Sequence, residues 1–177
     1  MTEKIKIEID ARQIHALAAN LTEKSAQDAW RRTLRKLGVW FKGQAAKAVS
    51  KEARIAQKVV RQRIYFFPRS WSEGKVWLGM NPFKPNRLGT MHTTSKGITA
   101  GRHRFPGAWV MKNIAPKGPI FERTSKERKP YREIKYEWEE AGNRAFREAA
   151  KRAEARLLEI LRQEINYEIH KAIGNAK

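Results

Sequence analysis

The sequence predicts an α+β fold, a small antiparallel β-sheet packed against long N-terminal and C-terminal α-helices, with an extended basic loop. Three observations predict it. Apolar residues recur at threes and fours near both ends of the chain, which is the helical period. The middle holds alternating runs such as Lys75 to Met80, which have the period of a strand. Between these runs, residues 81–104 are rich in Gly, Pro, Thr, Ser, Lys and Asn and offer almost no core candidates. At 177 residues the chain is long enough for one ordinary domain, 1–177, with a real core.

Each element has its local reason. Lys4 to Asp10 reads as a short strand with Ile5, Ile7 and Ile9 on one face, and Asp10 then caps a short helix through Asn20. A second helix starts near Thr22 or Ser25 and runs to about Val49 on a stripe of Ala29, Trp30, Leu34, Leu37, Trp40, Phe41 and Ala45. Gly38 and Gly43 weaken it slightly but let another element approach closely. A third helical piece, roughly Ala53 to Arg63, turns Val59, Val60 and Ile64 inward. Strands follow at Lys75 to Met80, Phe105 to Lys112, Ile120–Phe121 and Tyr131 to Tyr136. The intervening stretch 81–104 reads as an exposed basic arm that orders against a neighbour, since structureless loops of that length are functional or disordered. From 137 to 173 no proline interrupts a stripe of Phe146, Ala150, Ala153, Leu157, Leu161, Ile165 and Ile169, with Leu158 beside it. On its exposed face, Arg144/Glu148 and Lys151/Glu154 are spaced to pair.

Charge is partitioned along this framework. Residues 31–75 carry thirteen Lys/Arg against two acids, and residues 81–130 carry eleven against two, whereas the flanking segments balance. The whole formal charge of +20 therefore resides in the middle. Self-repulsion makes such an imbalance costly for a compact state, which points to a polyanion or an acidic protein surface as partner. Six Trp, seven Phe and four Tyr argue against a disordered basic tail. The chain has no Cys, so a disulfide framework and a cysteine zinc site are excluded. MTEKIKIEID does not read as a signal peptide, and no apolar run reaches membrane-spanning length.

Candidate chemistry is sparse. His15, His92, His103 and His170 show no metal-binding spacing, and no nearby carboxylate completes a pair of His92 and His103. Gly97 and Gly101 lack the strand and helix of a phosphate-cradling loop. A two-metal nuclease needs clustered carboxylates, which the basic middle does not supply. No metal and no cofactor is expected. A metal-free ribonuclease built on His103, Arg102 and Arg104 is one alternative function; a non-specific nucleic-acid-binding protein is the other.

The basic residues form groups. Arg61, Arg63 and Arg69 lie near the third helix, Lys96, Arg102 and Arg104 near the arm, and Arg123, Lys126, Arg128 and Lys129 in a second loop. Such side chains give salt-sensitive, sequence-independent contact with phosphates. No helix-turn-helix, zinc-finger or RNA-recognition signature supports base readout. Trp71, Trp77, Phe83, Phe105 and Trp109 interleave with the cations; stacking on bases is one use for them, and the inner face of a small sheet is the favoured one.

Phe105-Pro106-Gly107-Ala108-Trp109-Val110, preceded by Gly101-Arg102-His103-Arg104, resembles the basic run, Pro-Gly-Ala-aromatic and strand of the phage minor tail protein Z family. The order around it is similar too: a helix rich in Ala, Arg and Lys (Ala29 to Ala48), a basic helix (Lys58 to Ile64), a strand, a basic loop and a long C-terminal helix. The resemblance covers residues 25 to 173; the central arginine run is shorter here, and the N-terminus alternates Ile. It implies a non-enzymatic virion protein at the head-proximal end of a phage tail, assembled in the host cytoplasm. Such a protein completes the tail and joins it to the head as a homo-oligomeric ring, a hexamer, around the DNA channel. Its implied partners are itself, a tail terminator or tail tube protein, a head connector or adaptor protein and DNA held without sequence choice, with no membrane. Arg61, Arg63, Arg69, Lys96, Arg102 and Arg104 would then face DNA or a neighbouring ring. Arg123, Lys126, Arg128 and Lys129 would line subunit-interface loops, and Phe105, Pro106, Gly107 and Trp109 would shape the central strand.

Overall fold

The computed structural model describes residues 2–4, 21–111, 118–127 and 129–174. The expected continuation of the first strand over 5–10, the short helix ending at Asn20, and Arg128 lie outside them. The architecture is α+β. In chain order it comprises β1 (Thr2–Lys4), α1 (Glu23–Ala53), α2 (Gln57–Arg61), β2 (Ile64–Pro68), β3 (Gly74–Gly79), a 3-10 turn (Pro85–Arg87) and β4 (Met91–Thr94). After these come β5 (Gly97–Ala100), β6 (His103–Pro106), β7 (Trp109–Val110), β8 (Ile120–Arg123), β9 (Tyr131–Glu133) and α3 (Glu139–Gly174).

Where one sheet was expected, the strands form three three-stranded sheets, in the orders β1-β3-β2, β4-β5-β6 and β7-β8-β9. The chain divides into two compact units. The first holds Ala46–Arg63 and Gly79–Ala145; the second holds Thr2–Ala45, Ile64–Leu78 and Phe146–Lys177.

In the second unit the early part of α1 runs antiparallel to the later part of α3. Thr22 caps α1, its hydroxyl accepting the Ser25 N–H at 3.3 Å. Ala29, Leu161 and Ile165 form a buried cluster with Leu21, Trp30 and Ile169 against it, and Phe41 meets Phe146 edge to face at 5.2 Å. The stripe foreseen for α3 is buried at Phe146, Ala153, Leu157, Leu161 and Ile165. β2 and β3 form an antiparallel hairpin with Ile64 opposite Leu78 and Phe66 opposite Val76. Its inner face reaches α1 at Gly38, where an added Cβ would lie 2.6 Å from the Phe66 ring. Gly38 thus admits the hairpin, while Gly43 has nothing within 4 Å.

In the first unit α1 ends at Ala53, and Arg54, with a φ of 54°, turns the chain so that Ile55 is buried. The Ser50 hydroxyl donates to the Ile55 carbonyl at 2.6 Å across that turn. The third helix therefore shrinks to Gln57–Arg61, and Ile64 begins a strand instead. The segment read as an exposed arm, 81–104, is folded: Phe83, Leu88, Ile98 and Ala100 are buried, and 91–100 is a hairpin. The strand expected from Phe105 to Lys112 breaks at Gly107, which has a φ of 69° and donates its N–H to the Lys96 carbonyl. Tyr131 to Tyr136 keeps strand geometry only to Glu133, and Tyr136 instead bridges Phe83. Ile98, Ala108 and Ile120 make the core of these sheets, flanked by Met91, Phe105, Val110 and Ile134.

Candidate polyanion-binding surface

The β4-β5-β6 sheet sorts its side chains by alternation. Ile98 and Ala100 are buried on one face, and His103 and Phe105 are half-buried beside them. The other face carries His92, Thr99 and Arg104 in register across the three strands. Lys96 and Arg102 sit in the turns at the two ends of β5, and both are exposed. Each turn is held by close backbone packing. A Cβ at Gly97 would lie 2.3 Å from the Phe105 carbonyl oxygen, and one at Gly101, where φ is 58°, would lie 2.4 Å from that of Leu88. Lys96, Arg102 and Arg104 are thereby presented from one small, tightly packed sheet.

The third sheet behaves similarly. Trp109 lies opposite Phe121, and Tyr131 opposite Arg123. The Trp109, Phe121 and Tyr131 rings pack with centroids 5.5 Å apart. Arg123 leaves the end of β8, with Lys126 and Lys129 exposed in the loop that follows. Phe105 packs into the Ile98–Ala108–Ile120 core, and exposed Pro106 pairs with Gly97 at the sheet's end.

The remaining expected residues separate. Arg61 is exposed at the end of α2, whereas Arg63 lies over the Phe83 ring, 4.8 Å from its centroid. Arg69 belongs to the β2–β3 turn of the other unit and pairs with Glu73 at 3.8 Å. The ribonuclease trio is not assembled, because neighbouring strand positions send His103 and Arg104 to opposite faces of β6. The His103 ring stacks 4.2 Å from that of Tyr136, and its Nε2 lies 3.1 Å from the Arg54 carbonyl oxygen. Burial pushes the Tyr136 hydroxyl pKa up against the opposing effect of Arg54, and that hydroxyl donates to the Ala53 carbonyl at 2.9 Å. Among the described residues no three His, Cys, Asp or Glu side chains are grouped to hold a metal ion. No helix among them is long and apolar enough to cross a membrane.

Electrostatics distinguish two kinds of cation. Arg61, Lys96, Arg102, Arg104, Arg123, Lys126 and Lys129 form no ion pair among the described residues. Arg32 and Lys36 on α1 instead meet two buried carboxylates of α3: Arg32 binds Glu164 and Glu168 at 2.6 Å each, and Lys36 binds Glu164 at 2.5 Å. Glu164 and Glu168 flank the apolar stripe, so sequence alone assigns them to the solvated face. The foreseen α3 pairs are also replaced: Arg144 binds Glu52, and Lys151 binds Glu148 at 2.6 Å. Sequence reasoning also missed Tyr65 and Phe67, which stand exposed on β2.

Comparison of the chain with protein-family models, with curated proteins and with solved structures returns no match.

Proposed function

We propose that this chain is a non-catalytic virion protein of a long-tailed phage, completing the tail and joining it to the head as a ring around the DNA channel. The observation that carries this reading is the set of unpaired cations held on packed β-sheets in the first unit. Lys96, Arg102 and Arg104 are exposed and have no carboxylate partner among the described residues; Arg104 projects from a strand whose opposite face is core, and Lys96 and Arg102 from the turns beside it. Fixed cations without base-reading elements suit contact with a phosphate backbone or an acidic rim. A homo-oligomeric ring would repeat this surface around a closed axis and multiply a weak single contact. Its neighbours would be a tail terminator or tube protein on one side and a head connector on the other.

The test is the mass of the purified protein in solution, with and without duplex DNA, at low and moderate salt. Rings, or a monomer that joins purified tails, are expected, together with weak DNA binding by the free subunit. A stable monomer or dimer that coats DNA on its own would instead identify a free-standing nucleic-acid-binding protein. Arg102→Ala combined with Arg104→Ala is expected to reduce head–tail joining; intact assembly and infectivity in that variant would remove these residues from the functional surface.

A further inference from the structure

The β2–β3 hairpin has two faces of different character. Phe66 packs inward on Gly38, and Leu78 is buried, while the outer face carries Tyr65, Phe67, Lys75 and Trp77. In register, Tyr65 lies opposite Trp77 and Phe67 opposite Lys75. Tyr65 and Phe67 are stacked at 6.1 Å with an interplanar angle of 20°, and Tyr65 lies 5.5 Å from Trp77. Large parts of these rings remain in water: Tyr65 is 43 % exposed, Phe67 48 % and Trp71, in the turn, 46 %. Cations surround them. The Lys42 ammonium sits 5.8 Å from the Tyr65 centroid, Lys75 flanks Phe67, and Arg69 is in the turn. Glu73, which pairs with Arg69, is the one carboxylate of the hairpin.

From this face we infer that the β2–β3 hairpin binds single-stranded nucleic acid, with Phe67 and Trp71 stacking on bases and Lys42, Lys75 and Arg69 meeting the phosphates. The ligand has to supply negative charge and flat apolar surfaces together, because the face supplies cations and uncovered rings together. Unpaired strands do so at every nucleotide, whereas duplex DNA hides the faces of its bases. The same face of a second copy is the wrong occupant, since its own Lys42, Lys75 and Arg69 would meet like charges. The inference is independent of the ring proposed above: a monomer would bind in the same way, and the failure of one leaves the other standing.

The experiment is titration of the full chain with a short oligothymidylate, read by quenching of tryptophan fluorescence, with a duplex of equal length alongside. Phe67→Ala is expected to weaken single-strand binding about ten-fold without changing its salt dependence, because a stacking contact is lost and no phosphate contact is. Phe67→Tyr should retain binding. Lys75→Gln should lower the slope of log affinity against log salt by about 0.7, the value for one phosphate contact on a single strand. Equal affinity for duplex, or wild-type affinity in the Phe67→Ala and Trp71→Ala variants, would overturn the stacking role. Absence of any single-strand binding, with those variants blocking assembly into tails, would assign the face to a protein partner and overturn the inference. Circular dichroism and melting of each variant separate loss of the site from loss of the fold.

Discussion

The paired segments of α1 and α3 and the β-sheets of the first unit use the same residue types in opposite ways. Between the helices, Arg32 and Lys36 close on Glu164 and Glu168, whose side chains are only 5 % and 3 % exposed. On the sheets, Lys96, Arg102 and Arg104 have no such partner among the described residues. The difference teaches that a count of charges does not separate cations that hold the fold together from cations that the fold leaves unpaired. Burial of a carboxylate makes its arginine indispensable to the fold. An exposed arginine with no acid nearby adds repulsion and gives the fold nothing in return, which makes it the candidate for contact with a partner.

The largest effect should come from breaking the helix side of this contrast. Arg32→Ala leaves two buried carboxylates short of a partner and is expected to lower unfolding free energy by about 3 kcal/mol, measured by urea denaturation at neutral pH. A loss below about 1 kcal/mol would show that water or Lys36 compensates, and the cluster would not be structural. The same cluster sets a pH dependence. Burial alone would raise the Glu164 pKa, but hydrogen bonds from Lys36 and Arg32 outweigh it and hold the carboxyl below its ordinary 4.5. Its folded pKa is thus below the unfolded one, so the stabilisation is full above about pH 4.5 and lost as pH falls through the lowered folded value. Denaturation midpoints followed from pH 6 down to about pH 3 should therefore converge for wild type and a Glu164→Gln variant.

An intermediate effect sharpens how α1 receives the hairpin. Gly38→Ala would force a Cβ to within 2.6 Å of the Phe66 ring, and overpacking of that kind costs about 1–3 kcal/mol. Gly43→Ala meets nothing within 4 Å and should stabilise by up to about 1 kcal/mol through helix propensity. Opposite signs in thermal melts of the two variants are expected; matching signs would mean that Phe66 moves aside freely.

The smallest effect on stability belongs to the sheets. Replacing Lys96, Arg102 and Arg104 together by Ala should shift unfolding free energy by no more than about 0.5 kcal/mol per site, while reducing retention on a polyanion column. A large destabilisation would place these side chains among the structural cations and collapse the contrast.

How much of this was legible follows from the same residues. The two long helices could be read because their apolar stripes keep the 3.6 period over many turns. The end of α1 could not: no Gly or Pro marks it, and a non-glycine residue, Arg54, takes the positive φ. β2 was hidden because Tyr65, Phe66 and Phe67 put aromatics on both faces and erase the alternation. The sheet within 81–104 was hidden because its burial rests on Gly97 and Ala100 as much as on Ile98, and small residues carry little hydropathy signal. The cations of the candidate surface were visible from charge alone. Their separation from Arg63 and Arg69 depends on which ring or acid lies beside each one, and those neighbours are distant in sequence.

The packed state of 81–104 has a thermodynamic consequence. An unstructured arm clasping a polyanion would forfeit roughly 1–2 kcal/mol of backbone entropy for every residue it ordered. A hairpin locked at Gly97 and Gly101 has already met that requirement during folding, so association restricts only the rotamers of Lys96, Arg102 and Arg104. Calorimetry of binding to duplex DNA should accordingly show a heat-capacity change close to zero, since the affinity there comes from counterion release rather than from newly buried apolar area.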